Sequence, residues 1–230
     1  MKVTWLGQAG LLFENGASLT LVDPYLSDAC GKMNPASHRR VPADERFLRL
    51  SPDVILLTHA HADHTDPETL GHYLTETSHV TVLASPEAWQ KARSIGGRGN
   101  NFVRMTPGTV WTQNGLRYTA IPACHSEEGA IGFVLDDGTR SYYVTGDTLY
   151  NEHFFPTLPK DLFAVFLPVN GRGNNMNAED AARFAMQTGA KYAVPLHVGM
   201  LDDLAPAIYR AENRVLPELY QTLAFPEDVK

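Results

Sequence analysis

The amino-acid sequence predicts an α+β chain in which two sheets pack face to face and helices cover their outer sides. Three observations lead there. Strand-period and helix-period stretches alternate along the whole sequence, with no stretch that reads as disordered. The second half repeats the order of the first, so each half can supply one sheet with its helices. The chain has 230 residues, 43% of them hydrophobic, which is enough for a sizeable core. Residues 1–230 are therefore expected to form a single domain.

The elements follow in order. "KVTWLG", "GLLFEN" and "SLTLVD" are short β-rich runs separated by Gly and Asn, and read as an antiparallel meander. A long loop, residues 24–42, comes next. Loops beyond about 12–15 residues are usually functional or disordered, and this one carries Lys32, His38, Arg39 and Arg40. "DVILLTH" is a continuous apolar run, expected to be a strand buried on both faces. "DPETLGHYLTET" reads as a helix with Asp66 as N-cap and Pro67 in its first position. "VTVLAS" is the next strand, and "PEAWQKARSIG" a helix closed by Gly96 and Gly97.

In the second half, "TVWTQNG", "LRYTAIPACH", "AIGFVLDDG" and "RSYYVTGD" are strands joined by "NG" and "DDG" turns. "DLFAVFLPV" is a second buried run. "NAEDAARFAMQTGA" is a helix capped by Asn177 and closed by Gly189. "KYAVPLH" is the last strand, and a helix is expected around residues 205–212.

Three of the nine histidines fall within six positions, in "THAHADHTD". His59, His61, Asp63 and His64 follow a buried strand and precede a helix. Side chains two apart on a strand share a side, so His59 and His61 can reach one point, and Asp63 and His64, past the bend, a neighbouring one. Imidazole and carboxylate suit divalent metals, and the cluster holds no thiol. A lone His-x-His would usually be a surface loop; the full pattern after a buried strand is far more specific. His125, Asp147 and His197 each close another β-rich run, where a rigid scaffold presents loops.

Together, "THAHADH", His125, "TGDT" with Asp147 and "PLH" with His197 resemble the ordered motifs of the metallo-β-lactamase superfamily, and Asp23 in "LVDPYL" matches its first-motif aspartate. "WLGQAGLLFE", "DPYLSD" and "AKYAVPLH" are similar to the small branch that includes L-ascorbate-6-phosphate lactonase. The resemblance implies a four-layer αββα sandwich with its site at one edge between the sheets. It also implies that His59, His61 and His125 bind one metal, that Asp63, His64 and His197 bind a second, and that Asp147 bridges them. Asp23 would orient a ligand imidazole from behind. Asp66 could do the same, but its cap role is the plainer account.

Two divalent ions, zinc or manganese, suit hydrolysis by a bridging hydroxide. Asp63, His64 and Asp147 are then the candidate catalytic residues, with Asp63 carrying a proton to the leaving group. Arg39 and Arg40 in loop 24–42, and Asn170 and Arg172 in "NGRGNNMN", are candidate contacts for a small anionic substrate such as a lactone or ester. A phosphodiesterase or nuclease on the same fold would want an extended basic groove, and the net charge of −7 argues against nucleic acid as partner. A non-catalytic metal-binding protein has little reason to keep an open ligand set. Cys30 and Cys124 do not form a disulfide ladder, and Cys124 is expected to pack in the core. No apolar run nears the roughly 20 residues that span a bilayer. A cytoplasmic protein is expected, with a homo-oligomer suggested by resemblance.

Overall fold

The computed structural model describes residues 1–227. Twelve strands form two six-stranded sheets. The first holds β1 (Lys2–Gly7), β2 (Gly10–Asn15), β3 (Ser18–Val22), β4 (Val54–Leu57), β5 (Thr81–Ala84) and β6 (Asn101–Arg104) in that order. The second holds β7 (Val110–Gln113), β8 (Leu116–Pro122), β9 (Ile131–Asp136), β10 (Ser141–Val144), β11 (Leu162–Pro168) and β12 (Tyr192–Leu196), again as neighbours in chain order. In each sheet an antiparallel meander gives way to parallel strands: β3 to β6 run parallel, as do β10 to β12.

Alternation along the strands sorts the side chains into three layers of packing. In β4, Val54 and Leu56 face the second sheet, while Ile55 and Leu57 face the helices. All four are fully buried, which is why this strand reads as an unbroken apolar run. The central layer sets Phe13 edge-on to Tyr142 and Phe166, at ring separations of 5.8 and 5.7 Å. Outside the first sheet lie α3 (Pro67–Tyr73) and α4 (Pro86–Ile95), contributing Leu70, Tyr73, Ala88 and Ala92. Outside the second lies α5 (Ala178–Thr188), contributing Ala181, Phe184 and Ala185. With α1 (Ala29–Met33) and α2 (Glu45–Leu48) on the loop after β3, the result is the four-layer αββα sandwich.

The caps fall where the residues require. Asp66 accepts the Glu68 N–H, and Pro67 opens α3. Asn177 accepts the N–H groups of Glu179 and Asp180, and Gly189 ends α5 at φ 68°. Helix α4 ends differently: Gly96 is extended there, at φ −86°.

Two expectations fail. The loop 24–42 is partly helical, with α1 and a 3-10 turn at Pro35–Ser37. The helix expected around residues 205–212 is a single 3-10 turn at Pro206–Ile208. The chain beyond it is drawn to the edge of β12, where Ala193 donates to the Asn213 carbonyl and accepts from Val215. Further on, Tyr220 and Leu223 donate to Trp5 and Val3 on β1. Edge-strand pairing outcompetes helix propensity here, and it covers an exposed edge of each sheet.

Among the described residues, no helix is long and apolar enough to cross a membrane. Replacing the fully buried Phe13 with alanine removes the ring on which both sheets pack. Urea unfolding of Phe13→Ala should show a loss of about 3–5 kcal/mol; a loss below about 1 kcal/mol would contradict this packing.

Candidate metal centre

One edge of the sandwich gathers the ends of several strands. Asp23 follows β3, and His59 to His64 follow β4. His125 lies three residues beyond β8, Asp147 three beyond β10, and His197 immediately beyond β12. The backbone is specialised at these exits. Asp23 has φ 41° and His197 φ 64°, both left-handed. Gly146, before Asp147, has φ 63°, and a Cβ there would lie 2.8 Å from the Thr58 Cβ. Only glycine lets the two sheets close to this distance beside the site.

All seven histidine and aspartate residues meet there, in three overlapping groups whose donor atoms lie within 4.8 Å of one another: His59, His61 and His125; Asp63, His64 and His197; and His59, His64 and Asp147. The shared members make this one continuous centre, consistent with two metal ions.

The hydrogen bonds decide which atoms face inward. Asp23 is fully buried and accepts from Thr58 N at 2.8 Å, Thr58 Oγ1 at 2.6 Å and His64 Nδ1 at 2.8 Å. The Thr58 hydroxyl, having given its proton to Asp23, accepts from His59 Nδ1 at 3.0 Å. His59 Nε2 is thereby left bare. It faces His61 Nδ1 at 3.0 Å, which in turn meets His125 Nε2 at 3.3 Å. Three imidazole nitrogens on one point cannot all be satisfied by shared protons, and a cation satisfies them together. In the second group, His197 Nε2 lies 3.2 Å from Asp63 Oδ2 and 3.1 Å from Asp147 Oδ2. Asp147 Oδ1 is buried, makes no hydrogen bond, and lies 3.3 Å from His64 Nε2. The donor set, with this carboxylate oxygen facing a ligand imidazole rather than a hydrogen-bond donor of the scaffold, fits a divalent metal.

The two groups differ in charge. Burial pushes His59 well below its ordinary pKa, with facing His64 adding to the effect. Burial and neighbouring His61 likewise lower His125, against the pull of Asp147. Burial also works to lower His64 and His197, but Asp147 and Asp63 overcome it, holding His64 well above its ordinary value and His197 at about 10. The same pairs hold Asp63 and Asp147 below the usual carboxylate range, although burial opposes this.

Beside the second group opens a cavity of about 350 Å³, whose wall includes Gln8, Ser37, Asp63, Asn170, Arg172 and His197. Asn170 Nδ2 stands 3.0 Å from His197 Nδ1, and Arg172 is exposed at the rim. Arg39, expected at the substrate, is elsewhere engaged. It is buried, donating to the carbonyls of Val41, Tyr25 and Leu6 and to the Tyr220 hydroxyl. It pins loop 24–42 to the sheet because a buried guanidinium must place its donors. Arg40 is exposed and absent from the cavity wall, and its backbone N–H bonds Met200. The loop reaches the cavity through Ala36 and Ser37 instead. Asp66 spends its carboxylate on Glu68 N and the Thr69 hydroxyl, as a cap. Cys124 packs against the layer beneath α5.

Sequence reasoning missed two residues. Gln8, at φ 50° in the β1–β2 turn, donates to Asp63 Oδ2 at 2.9 Å. Buried Asn175 donates to Asp147 Oδ2 at 2.9 Å and accepts from Thr148 N. The glycines around Gln8 in "GQAG" and the polar run "NGRGNNMN" were the available signals.

Comparison with known proteins gives the chain's family and supports its fold. Residues 20–198 match the family described as the Beta-lactamase superfamily domain. A UPF0173 metal-dependent hydrolase of Methanoculleus marisnigri is 33% identical over 224 residues, covering 90% of this chain and 84% of the relative. Another, from Thermoplasma acidophilum, is 28% identical over 232 residues, covering 97% and 91%. In three dimensions the chain is similar to Igni18, a novel metallo hydrolase from Ignicoccus hospitalis. The TM-score is 0.73 over 97% of each chain at 18% identity, a likeness of fold.

The charge pattern predicts how metal uptake depends on pH. In the metal-free protein, His64 and His197 carry protons at neutral pH, since their pKa values are raised. A ligand imidazole must give its proton up, so apparent zinc affinity should rise as pH climbs from 6 toward 9. Uptake at pH 7 should release roughly two protons. Titrating the metal-free protein with zinc in weakly buffered solution measures this directly, and uptake without proton release would contradict the charge assignment.

Proposed function

The chain belongs to the beta-lactamase superfamily and to the UPF0173 metal-dependent hydrolase family, and we propose that it hydrolyses a small anionic ester or lactone with the help of two divalent ions, zinc or manganese. The observation that carries this reading is the convergence of seven ligand-type side chains beside one small polar cavity. His59, His61 and His125 would hold one ion, Asp63, His64 and His197 the other, and Asp147 both. Bound divalent ions supply an acidified water and Lewis-acid stabilisation of a developing oxyanion.

The chain's own groups do the rest. Asp63 faces the cavity and is steadied by Gln8, so it can take a proton and hand it to the leaving group. Asn175 holds one oxygen of Asp147, and the other turns toward His64 Nε2 at 3.3 Å, where it suits a ligand role. Arg172 at the rim suits a phosphate or carboxylate on the substrate's far end, with Asn170 and Ser37 offering further polar contacts. The cavity's size favours a phosphorylated lactone, like the substrate of L-ascorbate-6-phosphate lactonase, over a polynucleotide.

His61→Ala and Asp147→Ala should each lower bound metal and cut hydrolysis at least roughly a hundredfold. Unchanged metal content with unchanged activity would remove the assignment. Arg172→Met should raise KM about tenfold for phosphorylated lactones while sparing neutral ones. A panel of neutral lactones, sugar-phosphate lactones, cyclic nucleotides and RNA tests the substrate class, and turnover confined to the last two would replace it with a phosphodiesterase.

A further inference from the structure

Most of the imidazoles at the centre have a polar partner behind them. His59 leans on Thr58, His64 on Asp23, and His197 on Asn170. His61 differs. It is exposed, and its Nδ1 meets only the nitrogens of His59 and His125 among the described residues. Its orientation has to come through the backbone.

That backbone is held at Ala60, the residue between His59 and His61. Glu127 Oε2 accepts the Ala60 N–H at 2.8 Å, and Lys91 Nζ, from α4, donates to the Ala60 carbonyl at 2.8 Å. The N–H belongs to the peptide joining His59 to Ala60, and the carbonyl to the one joining Ala60 to His61. Both peptide units between the two histidines are therefore fixed, each by a charged side chain from another part of the fold. Both hydrogen bonds are charge-assisted, the stronger kind. The arrangement also costs something. Lys91 and Glu127 are half-buried, and Glu127 Oε1 is buried with no partner. Withdrawing charges from water is unfavourable unless their contacts compensate, and for each of them the contact formed is Ala60.

We propose that Lys91 and Glu127 are positioning residues that fix the spacing of His59 and His61, and so set the affinity of the first metal position. The proposal rests on reading the cluster as a metal centre. It assigns a task to two charges that touch neither the ligand atoms nor the cavity.

Calorimetric zinc titration of metal-free protein tests it, in two backgrounds. In His197→Ala, which keeps the first group intact, Lys91→Met and Glu127→Ala should weaken zinc binding about 10–100-fold. Lys91→Arg and Glu127→Gln, which retain a donor and an acceptor, should restore most of it. In His61→Ala, which leaves the second group, the same substitutions should change nothing. Unaltered affinity in the first background overturns the proposal, and so does equal weakening in both, which marks a general structural role. If Glu127→Ala fails to fold, Lys91→Met and its arginine rescue decide alone. Wild-type protein that takes up no zinc overturns the metal-centre reading and this proposal together. Two zinc ions bound by wild type, with Lys91→Met unaffected, overturn this proposal only.

Discussion

The Asp23 carboxylate organises the edge of the sandwich. A carboxylate with no exposed surface is costly to bury unless donors surround it. Here the donors are the N–H and hydroxyl of Thr58 and the Nδ1 of His64. Each bond has a second effect. The Thr58 contacts lock the exit of β4 to the exit of β3, the hydroxyl bond fixes the tautomer of His59, and the third bond turns His64 inward. One buried side chain thus aligns an imidazole in each half of the centre. The neighbouring Gly146, without a Cβ, lets the second sheet close over the same spot and deliver Asp147.

The fold was legible because both of its signals are local. Strand alternation and buried runs such as "DVILLTH" report the layers, and caps such as Asp66 and Asn177 mark the helix starts. The candidate ligands were legible because they stand at or just past strand ends, where side-chain direction is constrained. What escaped depends on contacts distant in sequence. The charge of Arg39 is written in the chain, but its burial under Tyr220 is not. Gln8 matters because the fold brings Asp63 and His197, 55 and 189 positions away, beside it. The segment around residues 205–212 has fair helix formers, and lost the helix to the open edge of β12.

Charge divides the centre into unlike halves. His59 and His125, with burial and neighbouring imidazoles against them, favour the neutral form that a metal requires. His64 and His197 are matched to Asp63 and Asp147, so without metal those groups neutralise one another. The arrangement avoids an uncompensated buried charge in either state. In the function proposed above, selectivity for substrate would lie elsewhere, in the loops that bring Ser37, Asn170 and Arg172 to the cavity wall. Those loops can change without disturbing the scaffold that presents the ligands.

The Gln8 contact has a bearing on synthesis. Gln8 stands in the first turn of the chain, yet its carbonyl accepts the N–H of His197 and its amide reaches both Asp63 and that imidazole. The two residues are 189 positions apart. A nascent chain that has completed its first sheet already owns His59, His61, Asp63 and His64, and Asp63 can pair with Gln8, but the His197 partner of that turn is still missing. Closing this turn on the final strand is among the longest-range events in folding, and long-range closure is slow. A growing chain would thus gain its full candidate ligand set only once the segment carrying His197 has left the ribosome.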